Sequence, residues 1–169
     1  RMAKGLEDAL GDLITGGAVT AKKGEGKYLK RIEVTLGGHP IPDEDSVKGA
    51  WKQSEVASQV EEDDLVFLLV SGGGSSLNVI PGPGLTIEDL VAVSKVVYFE
   101  RGVPIDELNI IRGQLRGNPP MKLKAKHIIT VETTELWPDY GITPAYPDPP
   151  TRRVVREQAT PIVAMNLLK

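Results

Sequence analysis

The apolar run Leu65-Val66-Phe67-Leu68-Leu69-Val70 passes without a break into Ser71-Gly72-Gly73-Gly74-Ser75-Ser76. Six consecutive apolar residues suit a strand buried on both faces, the signature of a central strand in a parallel sheet. A glycine-serine run alone also reads as a flexible tether or a plain turn. A tether seldom starts directly from a buried strand, whereas ligands of open α/β sheets sit just beyond the carboxyl ends of strands. Glycines there let the backbone approach a ligand, and successive N–H groups with two hydroxyls can converge on an oxyanion. The pattern therefore favours an anion loop at Ser71–Ser76. It is not a Walker A loop, because no Lys-Ser/Thr follows the glycines, nor a Gly-x-Gly-x-x-Gly opening straight into a helix. The next helix is expected only at Thr86, so its N-terminus need not point at a ligand.

The rest of the chain alternates strand and helix signals. Met2, Leu6, Ala9, Leu10 and Leu13 fall at helical spacing with no capping residue ahead of them, so the chain is expected to begin inside a helix. Strands are expected at Ala18–Thr20, Arg31–Leu36, His127–Val131 and Ile162–Met165. Ser46 is expected to cap a helix through Gln59, with Val47, Ala50, Trp51 and Ala57 on its inner face. Thr86 and Asp89 form a capping box for a helix closed by Gly102, with Ile87, Leu90, Val91, Val93 and Val97 inward. A shorter helix follows over Asp106–Leu115. This order predicts an α/β fold, a doubly wound Rossmann-like parallel sheet with helices on both faces. Residues 1–136 form the expected domain. Residues 137–169 start with a Pro-rich tract and read as a linker and an unassigned C-terminal segment.

Composition narrows the function classes. A length of 169 residues suits one domain, and a net charge of −3 with mixed signs argues against nucleic acid. No apolar run is long enough for a bilayer helix, so no membrane partner is expected. The absence of cysteine removes disulfides and thiolate metal sites, and two distant histidines give no metal motif. No secretory signal pattern opens the sequence, so a cytoplasmic setting is the expectation.

Several segments carry a more specific message. They are "RMAK" at the start, "GGHPIPDED" at 37–45, "EDDLVFLLVSGGGSSL" at 62–77, "PGLTIEDL" at 83–90, "IDELNIIR" at 105–112 and, more weakly, "PAYPDPPT" at 144–151. In order and spacing they resemble the N-terminal domain of the glycerate 2-kinase family, the two-domain type with a C-terminal MOFRL domain. That resemblance implies a kinase moving the γ-phosphoryl of ATP, with Mg2+, to the 2-hydroxyl of glycerate. It also implies a cleft against a second domain of the same polypeptide, and a homo-oligomer stays open. On that picture Ser71, Gly72, Gly73, Gly74 and Ser75 bind phosphate or carboxylate oxygens, joined by His39, Asp43 and Asn109. Arg112 is the surviving catalytic cation.

The chain also departs from the family pattern. A Gly-Lys-Ala segment that precedes the "RMAK" match in the family is not in this sequence. Asn109 and Arg112 match, but Gly113, Gln114 and Arg116 replace Lys, His and Ser, and Pro119, Pro120 and Met121 replace Lys-Gly-Gly. Thr130 and Val131 stand where the family has Ser-Asp, which removes a carboxylate suited to Mg2+. Ile142-Thr143-Pro144 replaces Ser-Gly-Pro. A degenerate, non-catalytic anion- or nucleotide-binding module is therefore the alternative, and a Rossmann-like oxidoreductase, lacking a nicotinamide fingerprint, is a third.

Individual residues have two readings each. His39 either contacts substrate or shapes its loop. Asp43 is either a base or a helix cap. Arg112 either clamps an anion bidentately or forms a solvent salt bridge. His127 reads as structural, Lys122, Lys124 and Lys126 as a solvated strand edge, and Trp51 and Trp137 as packing residues.

Overall fold

The computed structural model describes residues 1–26, 28–117 and 123–133. Helix α1 (Met2–Leu10) passes through a 3-10 turn, Gly11–Leu13, into strand β1 (Ala18–Lys22). Strand β2 (Glu33–Gly37) lies parallel to β1, with Ala18 opposite Glu33 and Lys22 opposite Gly37. Of the apolar series foreseen on α1, Leu6 and Leu10 lie against a core of Ala3, Ile14, Leu29 and Ile32, whereas Ala9 and Leu13 are exposed. The Glu7 carboxylate accepts the backbone N–H groups of Lys30 (3.0 Å) and Arg31 (2.9 Å), which ties α1 to the approach of β2. Those donors favour the ionised form and hold the Glu7 carboxyl below its ordinary range.

Helix α2 (Glu44–Ser58) starts three residues earlier than expected. Asp43 is its N-cap and Ser46 is the N3 partner of a reciprocal capping box. Its inner face carries Ser46, Gly49, Ala50, Ser54 and Ala57, while Trp51 lies outward and 50% exposed. The reason is close approach: a Cβ on Gly49 would run into Thr20 of β1, and one on Gly37 would meet Ser46 Oγ at 2.8 Å. A helix seated that tightly on β1 and β2 has no room beneath it for an indole.

Strand β3 (Leu65–Ser71) pairs in parallel with β6 (His127–Thr133), with Leu65 opposite His127. The expectation of burial on both faces is not met among the described residues. Leu65 is 54% exposed, the middle of β3 is half-buried, and Ile128, Ile129 and Val131 of β6 are exposed. Lys124 and Lys126 precede β6 rather than lie in it, and pair with Glu61, Glu62 and Asp63 ahead of β3.

A four-residue helix α3 (Gly74–Leu77) follows β3 directly. Helix α4 (Ile87–Ser94) has the foreseen Thr86–Asp89 capping box and continues as a π-helical turn, Lys95–Glu100, before Gly102 at φ +64°. Helix α5 (Ile105–Leu115) packs Leu108 and Ile111 on Val97, with Val93 and Leu115 at the margin. Strands β4 (Ile80–Pro81) and β5 (Arg116–Gly117) form a short antiparallel pair, which departs from an all-parallel sheet. The architecture is mixed α/β with parallel strands and helices. The expected strand at Ile162–Met165, Trp137, Lys122 and the Pro-rich tract lie outside the described residues. No described helix is long and apolar enough to cross a membrane.

Candidate functional site

The Gly-Ser loop is built by the end of β3. After Ser71 and Gly72 the chain turns at Gly73, whose φ of +92° is the left-handed region that glycine enters without strain. The turn opens at once into α3, so the expectation that no helix follows before Thr86 is corrected. Ser76 N (3.0 Å) and Leu77 N (2.9 Å) donate to the Gly73 carbonyl, and Ser76 Oγ does so at 3.1 Å. The Ser76 hydroxyl is thus spent inside the loop. The N–H groups of Gly74 and Ser75, in the first turn, have no intrahelical acceptor and are available to a ligand. Ser71 is exposed and Ser75 half-buried beside them.

His39 comes from the β2–α2 loop and lies against that turn. A Cβ placed on Gly73 would stand 2.7 Å from His39 Cδ2 and 3.0 Å from Nε2. Burial first, and then the charges of Lys22 and Arg112, hold the imidazole below its ordinary pKa against a smaller opposing effect of Glu25. The ring is therefore neutral at neutral pH.

Arg112, on α5, stands behind this loop at 5% exposure. Its Nη2 donates to the Pro40 carbonyl at 2.7 Å and its Nε to Ser94 Oγ at 3.1 Å. No carboxylate among the described residues forms an ion pair with it, and burial pulls its pKa down to about 10. It stays charged at neutral pH and fixes the residue next to His39. The solvent salt-bridge reading does not describe it. Asn109, one turn earlier, is nine-tenths buried with Oδ1 lacking a hydrogen-bond partner among the described residues.

Asp43 is occupied structurally. Its Oδ1 accepts from Ser46 N at 2.9 Å, and its Oδ2 pairs with Lys23 Nζ at 2.7 Å, which also reaches Asp45 at 2.8 Å. Burial alone would raise its pKa, but Lys23 and the N–H groups of Ser46 and Gly38 outweigh it and hold the carboxyl low. Those pairs in turn raise the Lys23 ammonium. Of the residues singled out in the sequence, the geometry joins His39 and Gly73 directly, with Arg112 holding Pro40, the residue next to His39. Asp43 belongs to the helix start, and His127 lies at the amino end of β6, remote from the loop. Sequence reasoning missed Ser94 and the Pro40 carbonyl. A serine on the otherwise apolar face Leu90-Val91-Val93-Val97 was the one available signal for Ser94.

First-turn N–H groups, the Ser71 and Ser75 hydroxyls and a neutral imidazole against the turn suit an oxyanion, whether carboxylate or phosphate. That donor set fits the phosphate part of a nucleotide or the carboxylate of a small acid. No group of three or more acidic or imidazole side chains that could hold a metal ion by themselves exists among the described residues. A cavity of about 550 Å3 runs from this loop, at Ser71, Gly72 and Gly74, down between β1 and β3.

Comparison with known proteins places residues 1–117 in the family described as "Domain of unknown function (DUF4147)". A glycerate 2-kinase of Pyrococcus horikoshii is 45% identical over 111 residues, covering 66% of this chain and 24% of that protein. A relative from Agrobacterium vitis, 38% identical over 116 residues, carries hydroxypyruvate reductase in its name and is matched over 69% of this chain and 30% of its own length. The crystal structure of a glycerate kinase from Thermotoga maritima superposes with a TM-score of 0.68 at 29% identity, covering 100% of this chain and 44% of that one. The chain spans about a quarter to a third of the length of these curated relatives.

Proposed function

The chain belongs to the DUF4147 family, and on that premise we propose that it is the amino-terminal part of a glycerate 2-kinase. In this reading the Gly-Ser loop and the imidazole beside it bind the anionic end of glycerate or of the nucleotide. Support comes from one observation above all: His39 packs against Gly73, so the two segments most specific to the resemblance meet in space. In the transfer, the 2-oxygen of glycerate forms a bond to the γ-phosphorus of ATP while the bond to the β–γ bridging oxygen breaks. The hydroxyl proton passes to a base, and a neutral His39 is the described group suited to take it. The N–H groups of Gly74 and Ser75 and the positive field of Arg112 offset charge on the oxygens. Among the described residues no group of three or more acidic or imidazole side chains could hold a metal ion, and no step is routed through Mg2+. The proposal includes ATP as donor, a doubly wound Rossmann-like sheet over 1–136, a second domain closing the cleft, and a cytoplasmic setting. It leaves a homo-oligomer open.

The test is an assay of the polypeptide at the length of its relatives, with Mg-ATP and D-glycerate. Formation of 2-phosphoglycerate is expected. A parallel arm offers hydroxypyruvate with NADH or NADPH, because one relative's name points to reduction. The loop lacks a dinucleotide fingerprint, so no turnover is expected in that arm, and reduction without phosphorylation would overturn the kinase reading. The second reading, a non-catalytic binding module, rests on the replaced positions Gly113, Gln114 and Val131. It wins if the longer polypeptide binds ADP or phosphoglycerate and never turns over.

A further inference from the structure

Strands β1 and β2 run parallel and in register, so Lys22, the last residue of β1, stands opposite Gly37, the last of β2. Two residues beyond Gly37, His39 packs against Gly73, which follows the carboxyl end of β3. The carboxyl ends of all three strands therefore meet at one edge, and α3, which carries Gly74 and Ser75, packs against β1. Lys22 brings a cation to that edge. After burial, its charge is the largest influence on the His39 imidazole. Two other cations nearby are committed to the protein's own acceptors: Arg112 to the Pro40 carbonyl and Ser94, and Lys23 to Asp43 and Asp45. Lys22 has a looser tie. Its Nζ lies 3.4 Å from Glu25 Oε1, and the two side chains are 46% and 68% exposed. A tight turn delivers that partner: Glu25 N donates to the Lys22 carbonyl at 2.9 Å, with Gly24 at φ +87°. The backbone thus carries Glu25 back to Lys22, and an exposed ion pair of this kind contributes little by itself.

We propose that Lys22 is a ligand-binding cation of the anion loop, and that Glu25 is the internal carboxylate a ligand displaces from it. The ligand class is an oxyanion, a carboxylate or a phosphoryl group, held between the first-turn N–H groups of Gly74 and Ser75 and the Lys22 ammonium. The loop offers backbone and hydroxyl donors, and Lys22 adds the full positive charge that makes a hydrogen bond to an anion strong. Glu25 competes for the same ammonium, so affinity follows the difference between two acceptors rather than the strength of one. Sequence reasoning passed over Lys22 because it sits in a charged, glycine-containing stretch that reads as solvated loop. The proposal rests on the anion-binding part of the reading above and not on phosphoryl transfer, so it is tested by binding rather than by turnover.

D-glycerate and inorganic phosphate are titrated separately into the 169-residue protein at constant ionic strength, with NMR signals of the Gly74 and Ser75 amides and the His39 ring as the readout. Lys22→Met is expected to weaken binding about tenfold, and Lys22→Arg to keep most of it. Glu25→Gln should tighten binding about two- to fivefold. Lys30→Met removes the same charge from an exposed position ahead of the amino end of β2, and should change nothing. In Lys22→Met the His39 ring is also expected to titrate at a higher pH than in wild type, with the urea midpoint at neutral pH unchanged. A loss confined to one of the two anions supports the proposal and tells which group Lys22 holds. Equal affinity of Lys22→Met and wild type overturns it, as does a loss that Lys30→Met reproduces. Loop amides that neither anion shifts in wild type overturn it as well, and weaker binding by Glu25→Gln removes the displacement by Glu25. Failure to phosphorylate glycerate, with these affinities as expected, would count against the kinase reading alone.

Discussion

Gly73 has two independent reasons to be glycine: its φ of +92°, and the imidazole edge of His39 2.7 Å from where a Cβ would stand. Gly72 next to it has neither, with open space around its Cβ position and no positive φ. Gly73→Ala is therefore expected to lower stability by about 1–3 kcal/mol and to push His39 out of register with the loop. Gly72→Ala should stay within about 0.5 kcal/mol. Urea unfolding of both variants, with His39 ring NMR shifts as the local readout, checks the pair. Equal losses in the two would mean that the contact with His39 is not what fixes the turn. At this scale the sequence announced which residues matter better than what they do. Arg112 stood out as a cation, but its acceptor at Pro40 is 72 positions away. Nothing in local spacing couples residues that distant.

Capping decides where the elements begin. Asp43 and Ser46 are both good capping types, three residues apart, and in a reciprocal capping box each bonds the other's backbone. The pattern alone therefore leaves a three-residue ambiguity, which the structure resolves in favour of Asp43. Asp43→Ala is expected to cost about 1–2 kcal/mol, and Asp43→Asn much less, because an amide oxygen still accepts from Ser46 N. Chemical denaturation ranks the two, and equal stability of Asp43→Ala and wild type would remove Asp43 from the cap. Strands β3 and β6 and the Thr86 helix start were legible because an unbroken apolar run, a strand-like His-Ile-Ile-Thr-Val and a Thr-x-x-Asp box each carry their signal within a few residues. Helix α3 was not, since four residues hold barely one turn and show no period. The outward Trp51 was missed for another reason. The clearance under α2 is set by Gly37 and Gly49 closing on Ser46 and Thr20, contacts between elements that no helical wheel contains.

Acid should unfold the whole molecule in two stages. His39 has a depressed folded pKa. As pH falls below about 6.5 the unfolded chain takes up a proton that the folded one resists, so stability begins to drop there. Glu7 and Asp43 are also depressed. Their contribution is complete above the ordinary carboxylate range of about 4 and disappears as pH falls through their lower folded values. Urea midpoints between pH 8 and pH 3 should thus decline gently at first and steeply at the end. His39→Gln should erase the upper decline alone, and Glu7→Gln should blunt the lower one. Midpoints that rise on acidification would contradict both assignments.

The pairing of β3 with β6 has a further consequence, and it lies in time. Leu65–Ser71 is made long before its partner His127–Thr133. Roughly 60 residues must follow, which at about 5–20 residues per second takes on the order of 3–12 s. Throughout that interval the ribosome carries a naked, strongly apolar strand of the kind that recruits neighbouring chains. The four exposed acids Glu61–Asp64 sit directly ahead of it, where their charge repels a second nascent copy. When Lys124 and Lys126 emerge, the same acids become the first attraction for the strand that belongs there. One short acidic stretch serves first as a guard and later as a guide.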